Sequence, residues 1–195
     1  DGYMQEQLDT KKGRNMALLE KSLAERPEDP YVHFQLGKQY DIQLQYAEAL
    51  PFYRRARELV QHRTAWYHDL VVRTIECLRH EGRLEEAMIF ASDEMPYWEQ
   101  SADFYFVVGC LLLDQMQKHP EQGESLLPMI EESWLKALAI GERPELAGNV
   151  SGRGSFMAAG QLWALFDARK EAEKAARYKD MQKKLYAQYK EAADA

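Results

Sequence analysis

Residues 148–160, GNVSGRGSFMAAG, have a composition that could bind phosphate. Three glycines and Arg153 precede a helical pattern, and glycine-rich turns that lead into a helix can surround a phosphate with backbone N–H groups. A nucleotide loop also requires a preceding strand and a third glycine or a Lys-Ser/Thr pair, whereas Phe156 and Met157 follow Gly154. We therefore predict a tight turn in which the Ser155 hydroxyl caps the next helix by accepting from a free amide. A bound anion at this turn is the alternative.

The other reactive side chains lack the spacing that catalysis or metal binding requires. No His-x-x-x-His or Cys-x-x-Cys pair occurs, and acid pairs such as Glu85–Glu86 and Glu131–Glu132 indicate solvated helix faces. Cys77 and Cys110 lie in apolar helical patterns, which predicts two buried, reduced thiols. We predict no enzyme, no cofactor and no metal site, and surface or half-buried structural roles for the histidines His33, His62, His68, His80 and His119.

Charge and composition exclude several classes of protein. The chain has 195 residues and a formal net charge of −7, which argues against binding nucleic acid or an anionic membrane surface. It has no apolar run as long as the roughly eighteen residues that a membrane span requires. Reduced thiols favour the cytosol. The chain begins Asp1-Gly2-Tyr3-Met4, with no initiator methionine or secretory signal, which indicates a fragment of a longer protein.

The elements that must position these residues are all predicted to be helices. Apolar residues recur every three or four positions among Leu, Ala, Glu, Lys, Gln and Arg, and runs of alternating β-branched residues are absent. Pro and Gly residues divide the chain into segments of about twelve to twenty residues, a length that suits stacked helix hairpins.

A repeat identifies the kind of hairpin. In residues 30–60 the small and large residues have the spacing of a tetratricopeptide repeat (TPR), namely Leu36, Gly37, Tyr40, Ala49, Tyr53 and Ala56. Gly37 and Ala49 are predicted to let the two helices of one hairpin touch backbone to backbone. Ala56 lets the next hairpin approach. The predicted fold is therefore an all-α, right-handed superhelical stack of antiparallel hairpins.

The template recurs along the chain and gives a single domain, 1–195. We predict a half-repeat at 14–26 and repeats at 30–61, 64–95 and 101–141, the last with an insertion at 116–127. A fourth repeat and a polar capping helix cover 154–192.

The repeat also predicts where a partner would bind. Outward positions of each first helix line the inner wall of such a stack, and a mixture of aromatic and charged residues there suits a peptide or a partner helix. The alternative is that Phe34 and Phe106 complete the packing between neighbouring hairpins. The predicted binding residues are Tyr31, Phe34, Lys38, Asp41, Asp69, Val72, Glu76, Arg79, Asp103, Phe106 and Cys110.

Three stretches resemble the TPR region that follows the catalytic domain in a group of bacterial family 2 glycosyltransferases. They are RNMALLEKSLAERPEDPYVHFQLGKQYDIQLQYAEALPFYRRA, WLKALAIGE and SGRGSFMAAGQLWALF. The resemblance implies that sugar transfer takes place in a separate domain with an Asp-x-Asp metal motif. No Asp-x-Asp occurs in this chain.

Two functional hypotheses follow. The first is an accessory scaffold that binds its own glycosyltransferase domain or that domain's acceptor protein, and the second is a stand-alone adaptor that binds peptides in its groove. Exposed repeat ends could also pair two copies of the chain as a homodimer, with Leu8, Leu18 and Trp98 as the predicted contacts.

Overall fold

A computed structural model describes the backbone of residues 2–61 and 64–193, and the side chains within those ranges from residue 13 onward. Its regular structure consists of helices, and no strand occurs in the described residues. Short 3₁₀ turns lie at Met95–Tyr97 and Pro120–Gln122. The α-helices are α1 (Gly2–Glu25), α2 (Pro30–Ile42), α3 (Tyr46–Leu59), α4 (Tyr67–His80), α5 (Leu84–Glu94), α6 (Ala102–Lys118), α7 (Gly123–Ile140), α8 (Phe156–Ala168) and α9 (Ala172–Ala193).

The all-α prediction is confirmed, and the helices form two compact units, Asp1–Thr64 and Ala65–Ala195. None of the described helices combines the length and the apolar character that a bilayer crossing demands. The predicted boundaries 14–26, 30–61, 64–95, 101–141 and 154–192, and the single-domain extent 1–195, stay predictions. Helix α1 begins well before the predicted half-repeat.

In the first unit α2 and α3 form a tightly packed hairpin. Helix α2 begins at Pro30, which supplies no N–H, and the carboxylate of the preceding Asp29 accepts from the N–H groups of Tyr31 and Val32. Five of the six template residues are buried, namely Leu36, Gly37, Ala49, Tyr53 and Ala56. The sixth, Tyr40, is only half-buried, and its ring stacks on that of Phe52.

Gly37 is small for a reason that differs from the prediction. A Cβ atom at this position would lie 2.5 Å from Cδ1 of the Tyr53 ring. The glycine therefore makes room for an aromatic ring of the partner helix, and the ring then fills the hairpin. Tyr53 also donates its hydroxyl to Asp41 over 3.0 Å.

The second unit contains three helix pairs, α4 with α5, α6 with α7, and α8 with α9. In the second pair Gly109 lies against the indole of Trp134, and the indole N–H donates to the carbonyl of Phe106 over 3.2 Å. The predicted insertion, 116–127, contains the end of α6, a 3₁₀ turn and the start of α7. The extra residues thus lengthen the two helices rather than forming a long loop.

The last pair has an apolar contact side and a polar outer side. Leu162 and Phe166 of α8 are buried, and the Phe166 ring stacks on Tyr178 of α9 at a centroid distance of 5.4 Å. Ala175 and Tyr178 are the buried residues of α9. The polar character predicted for this helix is therefore present over most of its surface.

Replacement of Gly37 tests the close contact with Tyr53. Gly37→Ala should lower the free energy of unfolding by about 1–3 kcal/mol, because the added methyl group overpacks the hairpin. Urea denaturation followed by circular dichroism measures the change.

Gly13→Ala provides the matched control within the same unit. A Cβ atom at Gly13 meets nothing within 4 Å, and the residue lies in α1. Alanine should therefore stabilise this helix by up to about 1 kcal/mol. Equal loss of stability in the two variants would show that the Tyr53 ring does not restrict position 37.

Candidate peptide-binding face of α4 and α6

The predicted binding residues of α2 divide between core and surface. Phe34 is buried, with its ring centroid 6.2 Å from that of Tyr53, so it packs the hairpin. Tyr31 is exposed, and the Lys38 ammonium lies 5.7 Å from the Phe34 ring centroid. Asp41 accepts the hydrogen bond from Tyr53. A partner-binding role for these four residues stays a prediction.

The remaining predicted residues come together within the second unit, where α4 packs on α6. We call this surface the α4–α6 face. It is formed by Asp69, Val72, Glu76 and Arg79 of α4 and by Asp103, Phe106 and Cys110 of α6. Asp103 is fully buried, and Val72 and Phe106 are also buried. The face is therefore covered in this structure, and binding by these seven residues stays a prediction.

The cover is the chain's own segment, residues 147–153, which we call the covering segment. Its main-chain N–H at Val150 donates to Asp103 Oδ1 over 2.9 Å, and the Asn149 amide donates to Asp103 Oδ2 over 3.1 Å. The carbonyl of Ala147 lies 2.7 Å from His68 Nδ1. Both oxygens of one buried carboxylate are thus occupied by the covering segment.

Arg153 forms the second attachment of the covering segment. Its Nη2 donates to Glu76, its Nη1 lies 3.5 Å from Asp103 Oδ1, and its guanidinium carbon lies 5.6 Å from the Phe106 ring centroid. Only 9% of the Arg153 side chain is exposed. A planar cation thus lies over an aromatic ring between two carboxylates, an arrangement that strengthens each contact by excluding water.

Glycines shape the chain around these contacts. Gly148 and Gly152 have backbone φ angles of 75° and 106°, which residues with a side chain rarely adopt. A Cβ atom at Gly148 would also collide with the carboxylate of Asp69. The tight turn predicted for this segment is present, although its role is to lay residues 147–153 on α4 and α6.

The capping hydrogen bond predicted for the Ser155 hydroxyl is wrong. Ser155 occupies the N-cap position of α8, but its side chain makes no capping bond and its hydroxyl instead donates to Glu142. The same carboxylate oxygen accepts from the N–H of Gly152 over 2.9 Å. Glu142 therefore fixes the end of the turn, because a carboxylate accepts more strongly than a neutral group.

The positions predicted for the histidines are wrong for His68 and His33, which are buried, and their structural role stays a prediction. His68 is buried, and because the carbonyl of Ala147 can only accept, Nδ1 carries a proton; Nε2 lies 2.7 Å from the Ser101 hydroxyl. His33 is also buried, 2.8 Å from the carbonyl of Pro27. His80 is exposed and His119 is half-buried. His62 lies outside the described residues.

The cysteines differ in exposure. Cys77 is buried and Cys110 is partly exposed, and no disulfide joins the two thiols. Burial raises the pKa of the Cys110 thiol, and the nearby Arg79 and Arg153 oppose that shift without cancelling it. Arg79 is paired with Asp114 over 2.9 Å. Within the described ranges no cluster of His, Cys, Asp and Glu could hold a metal ion.

Sequence reasoning missed the residues that close the face. Asn149, Val150 and Arg153 were assigned only to a turn, and His68 only to a structural position. A usable signal was present, because Arg153 and its glycines interrupt the repeat template while Glu76 and Asp103 occupy the inner positions of two first helices. The pairing itself joins residues far apart in sequence.

Solved structures resemble this fold, whereas no family model matches the sequence and no curated protein is significantly similar to it. A crystal structure of MamA has a TM-score of 0.69 at 14% identity, over 98% of this chain and 96% of that one. YrrB, described as a TPR protein with an unusual peptide-binding site, has a TM-score of 0.63 at 14% identity, over 92% and 80%. PilF of Pseudomonas aeruginosa has a TM-score of 0.67 at 19% identity, over 94% and 71%. The chain therefore has the all-α helical-repeat fold of TPR proteins.

Replacement of Gly148 tests the close approach of the covering segment to α4. Gly148→Ala should lower the free energy of unfolding by about 3 kcal/mol, because a strained φ and a collision with Asp69 add together. Thermal and urea denaturation measure the loss.

Gly82→Ala is the control, because Gly82 has a φ of 68° but open space around the missing Cβ. It should cost only about 1 kcal/mol, the backbone contribution alone. A loss at position 148 no larger than that at position 82 would contradict the close approach.

Proposed function

We propose that this chain is a non-catalytic TPR scaffold that binds a protein or peptide partner, and that the α4–α6 face is its binding surface. The observation that carries the proposal is the hydrogen bond from the main-chain N–H of Val150 to the buried carboxylate of Asp103. A side chain that holds main-chain N–H groups can bind a peptide largely without regard to the peptide's side chain at that position.

The groups around Asp103 suit recognition better than reaction. Asp103 and Glu76 are paired with a guanidinium, and both ring nitrogens of His68 have partners. The Cys110 thiol has a raised pKa and is therefore a poor nucleophile at neutral pH. The Ser101 hydroxyl lies against His68, but Ser101 is fully buried and its oxygen accepts from the N–H of Phe104, so it caps α6 and does not face a substrate.

Absence of catalysis has a direct test. The purified chain, incubated with nucleotide sugars and Mg²⁺ or Mn²⁺, should release nucleoside diphosphate at the rate of the protein-free control. Release that scales with protein concentration, and survives repurification, would contradict the scaffold proposal.

The origin of the scaffold is proposed on the resemblance of its sequence to the TPR region of bacterial family 2 glycosyltransferases. On this proposal the partner is the chain's own glycosyltransferase domain or that domain's acceptor protein, in the bacterial cytosol. The alternative is a stand-alone adaptor. The complete gene separates them, because an α/β domain with an Asp-x-Asp motif upstream of residue 1 is required by the first proposal and absent under the second.

Self-association remains a separate proposal. Leu18 of α1 is 59% exposed and could contact a second copy. Trp98 is engaged within its own unit, since its indole donates to Glu94 and its ring contacts His68. The side chain of Leu8 lies outside the described residues. Sedimentation of Leu18→Glu beside the unaltered protein tests this contact, and a homodimer through α1 should dissociate in the variant.

The binding surface can be located with a native cysteine. Because Cys77 is buried, benzophenone-iodoacetamide applied at alkaline pH, where more of the Cys110 thiol is ionised, should label Cys110 on the α4–α6 face. A peptide selected from a random displayed library against the whole chain should then cross-link to this position on illumination, as mass spectrometry of the digest would show.

A label on α5, the helix that pairs with α4, is the control. Cys110→Ser combined with Ile89→Cys moves the label to α5, where Ile89 is 67% exposed. The same peptide should not cross-link there. Equal cross-linking at both positions, or a library that yields no binder, would overturn the proposed function.

A further inference from the structure

The geometry points to a guanidinium-binding site formed by Glu76, Asp103 and Phe106, which we call the arginine site. In this structure Arg153 occupies it from within the chain. We infer that the arginine site also takes an arginine side chain of a partner peptide, which replaces the covering segment. This inference rests on the proposed function and adds to it the chemical identity of the partner.

The charge of the site defines its ligand. Asp103 is fully buried, and its hydrogen-bond donors and cation all come from the covering segment, at Asn149, Val150 and Arg153. If a ligand without donors took the place of the segment, the carboxylate would be buried without a partner, which is strongly unfavourable. Any ligand that replaces the segment must therefore bring N–H donors and positive charge.

The aromatic floor favours arginine over lysine. The Arg153 guanidinium carbon lies 5.6 Å from the Phe106 ring centroid, while Nη2 donates to Glu76. A guanidinium is planar and can stack on a ring while its edge donates to carboxylates on either side. A lysine ammonium is compact and more strongly hydrated, so it loses more on entering a site that excludes water.

The present occupant satisfies the site incompletely. Nε and Nη1 of Arg153 are buried and make no hydrogen bond within the described part of the chain, and the 3.5 Å approach to Asp103 is an ion pair only. The connection from α7 to α8 is attached to both helices and so restrains where this guanidinium can lie. An arginine on a separate peptide has no such restraint and could donate to both carboxylates.

The rest of the face complements a basic ligand. Asp69 and Arg73 neutralise each other over 2.7 Å, and Arg79 and Asp114 do so over 2.9 Å. Glu76 and Asp103 therefore supply the uncompensated charge once Arg153 is withdrawn. The net charge of −7 adds a long-range attraction for a basic partner.

The experiment removes the Arg153 side chain from the arginine site and adds an arginine-containing peptide in solution. The probe is a fluorescent peptide with the sequence of residues 145–155, ELAGNVSGRGS, and its match with lysine in place of arginine. Arg153→Ala, within the whole chain, should bind the arginine peptide at least tenfold more tightly than the lysine peptide in anisotropy titrations.

The unaltered chain should bind the arginine peptide at least tenfold more weakly than Arg153→Ala. Its apparent affinity for the peptide is the intrinsic affinity multiplied by the fraction of time during which the covering segment is off the face. Adding Asp103→Asn to Arg153→Ala should abolish the preference for arginine. Arg143→Ala is the matched control, because Arg143 lies in the same connection but contacts Glu145 and the carbonyl of Gln100 instead of Glu76 or Asp103; its affinity for the arginine peptide should be that of the unaltered chain.

Folding is monitored by circular dichroism and thermal unfolding. If Arg153→Ala unfolds, Arg153→Met replaces it, because methionine keeps an apolar stem over Phe106 without the charge. The inference is overturned if a folded variant binds both peptides equally or binds neither. It is also overturned if saturating arginine peptide leaves the amide resonances of Val150 and Arg153 in the unaltered chain unchanged, since the covering segment would then never leave.

These outcomes are distinguishable from failure of the proposed function. Selected peptides that cross-link at Cys110 without a preference for arginine would leave the scaffold proposal standing and remove the arginine site. A library that yields no binder would remove the scaffold proposal, whatever the affinity of Arg153→Ala for its own segment.

Discussion

The second unit depends on the pairing of one buried carboxylate. Asp103 cannot lie fully buried on α6 without donors, and it obtains them from a main-chain N–H, an amide and a guanidinium of the covering segment. The connection between α7 and α8 must therefore return to α4 and α6. Its glycines and the acceptor Glu142 are consequences of that return, because they bend the chain and fix the bend.

Close packing within the hairpins holds in place the helices that carry these contacts. The Tyr53 ring packs against Gly37, and the Trp134 indole packs against Gly109. The indole N–H also donates to the carbonyl of Phe106. The second contact holds α6 at the residue over which the Arg153 guanidinium lies. The packing that defines the repeat thus also fixes the position of Phe106, which is one of the residues that form the arginine site.

The fold could be predicted from sequence because its determinants are local and periodic. The spacing of Gly37, Ala49, Tyr53 and Ala56 reports helix contacts that recur at fixed intervals. The covering of the α4–α6 face by residues 147–153 could not be predicted in this way. Glu76 lies in α4 and Arg153 in the connection between α7 and α8, and their contact depends on the path of an irregular segment that no period describes. Phe34 and Phe106 show the same limit, since the template left open whether they contact a partner or complete the packing between hairpins, and the structure buries both.

The covering segment changes the environment of the acidic residues on the α4–α6 face. On an open repeat, Glu76 and Asp103 would be hydrated and would act mainly through long-range steering. Covered by residues 147–153, they lie in a medium of low polarity where each ion pair is stronger and each loss of a partner costs more. On the proposed function, a ligand would have to match the charge and hydrogen bonds of the segment that it replaces, so the chain's own cover would exclude partners lacking an arginine.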